Sequence, residues 1–159
     1  MDTDTFRRYL QAHAAGADVG LAIARRLAKA HPGTELGRAM EEIAGKVQSE
    51  RATLQSAIDR LPAKPDLLRR AAGAVGAAGR LAGELPFVPE PSLLEDLEAL
   101  AVGVWGKRLL WGALRRADLP DGDFSDMDLD GLSAAAEEQE KRIIRLREDY
   151  LAHAFAETA

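Results

Sequence analysis

The sequence predicts an all-α fold, a bundle of four long helices. Two patterns carry that reading. Apolar residues recur at steps of three and four over residues 4–30, 34–61, 92–117 and 128–156, which places them on one helical face each time. No segment alternates polar and apolar residues as a half-buried strand would. A third observation sets the register of the bundle. Each apolar seam is interrupted by a polar residue: His13, Glu50, Lys107 and Gln139 in turn.

The first helix is expected over 4–30, capped by Thr3 or Asp4 and ended by His31-Pro32-Gly33. Its seam reads Phe6, Leu10, His13, Ala17, Gly20, Ala24, Leu27. The second, 34–61, follows after a tight turn and so must run antiparallel to the first. Its seam is Leu36, Met40, Ile43, Val47, Glu50, Leu54, Ala57, Leu61, and Pro62 and Pro65 stop it. Residues 66–83 predict a weaker helix, because Gly73, Gly76, Gly79 and Gly83 lower its propensity. Pro86, Pro89 and Pro91 then favour extended chain.

The third long helix, 92–117, opens on Ser92-Leu93-Leu94-Glu95, a capping box in which Ser92 caps and Glu95 reaches back. Its seam is Leu93, Leu97, Leu100, Val104, Lys107, Trp111, Leu114. An aspartate-rich loop leads to the fourth helix, 128–156, with the seam Leu129, Leu132, Ala136, Gln139, Ile143, Leu146, Tyr150. The opposite face of that helix, with Glu137, Glu140, Lys141, Arg145 and Glu148, is charged and expected in solvent.

A chain of 159 residues is the size of one domain and can bury a sizeable core. Lys+Arg 21 against Asp+Glu 26 gives a net charge of -5, which argues against a nucleic-acid partner. The absence of cysteine excludes disulfides and thiolate metal sites. The acidic start lacks the basic-then-apolar order of a signal peptide, and no uninterrupted apolar run approaches the ~20 residues needed to cross a bilayer. A cytoplasmic protein without a membrane partner is expected. The loop around Asp121, Asp123, Asp126 and Asp128 lacks the EF-hand order and its terminal glutamate, so it reads as a solvated turn that caps the next helix.

The four polar seam residues converge if the third helix descends alongside the second. At ~1.5 Å per residue, His13 then lies about 14 Å above the base, Glu50 about 16 Å, Lys107 about 15 Å and Gln139 about 16 Å. That arrangement needs 65–91 to return along the bundle, which suits its length. Two antiparallel hairpins joined by one long crossover resemble the ferritin-like superfamily, in particular small members without the usual ligands. Ferritin-like di-iron proteins use a glutamate from each of two helices and Glu-x-x-His from each of the other two. At the matching layer this chain has His13 and Lys107 in place of single glutamates. It has Glu50-Arg51-Ala52-Thr53 and Gln139-Glu140-Lys141-Arg142 in place of the two motifs.

A protonated lysine has no lone pair for a metal and repels one, but it can neutralise Glu50. The expectation is therefore a buried Glu50–Lys107 ion pair, with His13 and Gln139 satisfying the remaining hydrogen bonds, and with no metal or other cofactor. Gly16, Gly20 and Trp105 are the candidates for an interface, through which the chain would form a homodimer or meet another protein. The resulting function is a non-catalytic, metal-free, ferritin-like structural or interaction module. The competing classes are an iron-handling protein or di-metal oxidase, and a small-molecule binder that uses the polar layer.

Overall fold

The computed structural model describes residues 2–61, 92–117 and 124–156. The helix expected over 66–83 lies outside these residues. Four helices fill the described chain: α1 (Thr3–Ala30), α2 (Glu35–Arg60), α3 (Leu93–Arg116) and α4 (Leu129–Ala156). No strand occurs among the described residues, so the fold is an all-α bundle.

Local chemistry sets the helix ends. Asp2, one residue earlier than expected, caps α1 by accepting the Thr5 N–H at 3.0 Å. Thr34 caps α2 by accepting the Gly37 N–H at 3.0 Å. The turn between them passes through Gly33 at φ 73, a left-handed conformation that a side chain disfavours. Ser92 accepts the Glu95 N–H at 3.3 Å, and Glu95 accepts the Ser92 N–H at 2.7 Å, so the capping box is complete. Asp128 accepts the Gly131 N–H at 2.8 Å at the start of α4.

The helices form a square. α1 packs on α2 and on α3, and α4 packs on α3 and on α2; the other two pairs are diagonals. Named contacts give the directions. Arg51 binds Asp18 and Arg25 binds Gln48, so chain order reverses between α1 and α2. Arg26 binds Asp96 at 2.6 Å, while a Cβ at Gly106 would reach the His13 ring, so order also reverses between α1 and α3. Arg108–Glu140 and Glu98–Arg147 give the same result for α3 and α4. Leu61, at the end of α2, lies beside Arg7, whereas Ser92, at the start of α3, lies at the Arg26 end. The two are thus at opposite ends of the bundle.

The core runs down the middle. Leu10, Met40, Leu97, Leu110, Trp111, Leu114 and Ile143 are all essentially inaccessible, and each such side chain contributes about 1.5–3 kcal/mol of burial. The α2 seam is buried from Met40 to Leu61. In α1 the seam is interrupted: Ala14 is buried, whereas His13, Ala17 and Gly20 are only partly covered. In α4 the seam ends at Leu146, since Tyr150 is exposed. Phe124 packs against Phe6 with ring centroids 6.3 Å apart. No helix among the described residues is long and apolar enough to cross a membrane.

Candidate functional site: a polar ring beside a cavity

Glu50, Lys107 and Gln139 meet at mid-height from three helices. Lys107 Nζ donates to Glu50 Oε2 and, at 2.6 Å, to Gln139 Oε1. Gln139 Nε2 donates to Glu50 Oε1 at 2.7 Å. The three side chains thus close a ring in which both carboxylate oxygens and the amide's two ends are engaged. The Glu50 side chain is 8% exposed and that of Lys107 13%. A carboxylate this dry needs a matching charge and a donor at each oxygen, and the ring supplies them. Burial pulls the Lys107 ammonium below its ordinary pKa; the attraction of Glu50 opposes that, and Lys46 adds to it.

His13 does not join the ring. It stands at the same level, but no hydrogen bond links it to Glu50, whose two oxygens are already taken by Lys107 and Gln139. Its ring lies edge-on to Tyr9, with centroids 4.6 Å apart. Burial without a compensating partner holds its pKa below the ordinary 6.5.

Beside His13 and the ring a groove of about 340 Å³ opens between α1, α2 and α3, with Gly16 and Gly103 of its lining exposed. Its wall is largely aliphatic, with Ile43, Val47, Leu54, Leu100 and Leu110, and Trp111 borders it. Gly16 and Gly20, candidates for an interface, line this groove together with Gly103 and Gly106. A Cβ added at Gly16 or Gly103 would meet nothing within 4 Å, and at Gly20 or Gly106 its nearest neighbour would be 3.9 Å away. Trp105 lies elsewhere. It is 52% exposed and shares a stripe of α3 with Val102 and Leu109, none of which lines the groove.

Arg7 is a polar residue that seam reading passed over. It is only 8% exposed, and its guanidinium donates to the carbonyls of Ile58, at 3.1 Å, and Leu61. Those carbonyls belong to the end of α2, where a cation is favoured; the Ile58 carbonyl also accepts the Leu61 N–H at 3.2 Å. The signal was an arginine one residue from Phe6, placed to reach the foot of the neighbouring helix.

The site therefore belongs to an all-helical bundle with an internal ion pair and an adjoining apolar groove. No protein-family model matches the chain, and no curated protein or solved structure matches it either.

Proposed function

We propose that this chain is a non-catalytic, metal-free bundle of ferritin-like connectivity that serves as a structural or protein-interaction module in the cytoplasm. The observation that carries the reading is the closed Lys107–Glu50–Gln139 ring. It sits at the level where ferritin-like proteins would hold a metal pair, and its chemistry opposes one. A cation entering there would confront the Lys107 ammonium and compete for both oxygens of Glu50. Among the described residues, no three histidine, cysteine, aspartate or glutamate side chains gather as a ligand group. The reversed contact order of three neighbouring helix pairs, α1–α2, α1–α3 and α3–α4, with Leu61 and Ser92 at opposite ends, supports the connectivity.

Elemental analysis of the protein purified from cells grown with iron and manganese tests this reading. The expected metal content is far below one per chain and does not change in Glu50→Ala. Stoichiometric iron or manganese, lost in Glu50→Ala, would instead establish an iron-handling protein or oxidase.

A further inference from the structure

We propose that the outward face of α3 is a self-association surface, covered by a second copy of this chain whose α3 lies antiparallel to the first across a two-fold axis. Spacing defines the face. Glu98, Val102, Trp105, Leu109, Gly112 and Arg116 follow one another at alternating steps of four and three residues. That alternation is how one helix presents a continuous seam to another. Val102, Trp105 and Leu109 are three of the six large apolar side chains that stand exposed among the described residues. The inward seam of the same helix, with Leu97, Leu100, Val104, Trp111 and Leu114, is buried. The helix is therefore apolar on two opposite faces, and the bundle covers one of them. A contiguous exposed apolar stripe marks a contact surface.

Charge selects the partner. The outward seam is acidic at its start, with Glu98, and basic at its end, with Arg116, and both residues are exposed. Laid parallel, two copies would set acid beside acid and base beside base, where like charges repel. Reversed, each acid meets the other copy's base, so the seam is its own complement. The same pairing fixes the register. With Glu98 opposite the partner's Arg116, Trp105 stands opposite the partner's Leu109 and Val102 opposite the partner's Gly112, because the members of each pair are equally distant from position 107.

Both charges are open to such a contact. Arg147 donates twice to Oε1 of Glu98, at 2.9 and 2.7 Å, which leaves Oε2 without a partner among the described residues. Arg116 forms no ion pair among the described residues; its Nη1 donates to the Gly112 carbonyl at 3.2 Å. This arrangement names the partner of the interaction module proposed above and rests on that reading in this respect alone.

The test uses the full chain and two charge reversals, Glu98→Arg and Arg116→Glu, in sedimentation equilibrium. The unaltered chain is expected to dimerise. Each reversal sets like charges together at two places in the dimer and is expected to raise the dissociation constant about tenfold. An equimolar mixture of the two variants is expected to recover the unaltered affinity, because the arginines of one copy then face the glutamates of the other at both places. Recovery in the mixture also shows that both variants remain folded. Metal content, measured on the same samples, reads the proposed function separately, so either can fail while the other stands. A chain that stays monomeric at every concentration would overturn the proposal. So would unchanged affinity in either variant, or a mixture that associates no more tightly than its components.

Discussion

Lys107 and His13 face the same groove from neighbouring helices, yet their surroundings treat them differently. The ammonium has two oxygen acceptors and a countercharge. The imidazole has only an aromatic edge and partial burial. A histidine with its folded pKa below 6.5 takes up its proton later than the unfolded chain does. Between those two values the unfolded state holds more protons, so stability falls as pH drops below 6.5. His13→Asn is expected to flatten that part of the stability profile, as read by urea unfolding at neutral and mildly acid pH. An imidazole resonance titrating above 6.5 would contradict this assignment. The sequence placed His13 at the right height, because helical rise is uniform. It could not show that the amide of Gln139 reaches Glu50 first, since that depends on how far each side chain leans across the bundle.

At the scale of the element, caps and seams were legible because they depend on neighbours a turn away. Ser92 with Glu95, Thr34 and the α2 seam all needed only local spacing. The meaning of the glycines was not legible, because a missing side chain can admit a neighbouring helix or leave a gap. The structure separates the two cases and makes them testable. A Cβ at Gly37 would fall 2.0 Å from the His31 carbonyl oxygen, so Gly37→Ala is expected to destabilise the α1–α2 turn. Gly103→Ala meets nothing within 4 Å and is expected to stabilise α3 by about 0.5–1 kcal/mol. Chemical denaturation of the two variants checks both signs; a loss of stability in Gly103→Ala would mean that the space is needed for packing.

At the scale of the molecule, the sequence foresaw four helices and one internal polar level. It did not foresee that Gly16 and Gly20 would line a groove while Trp105 occupies a different stripe of α3. Any self-association is therefore expected to use Val102, Trp105 and Leu109, which are 68%, 52% and 51% exposed. Sedimentation equilibrium is expected to give twice the chain mass, reduced to the monomer by Trp105→Lys. A monomer at every concentration would remove the dimer from the account.

The central claim is that Glu50 and Lys107 stabilise each other inside the bundle rather than serving a ligand separately. A double-mutant cycle by urea unfolding tests it most directly. Lys107→Met alone is expected to cost about 3–5 kcal/mol, because it strands a buried carboxylate. Combining it with Glu50→Gln is expected to recover most of that loss, since no charge is then left without its partner. Losses in the two single variants that simply add in the double variant would contradict the pairing.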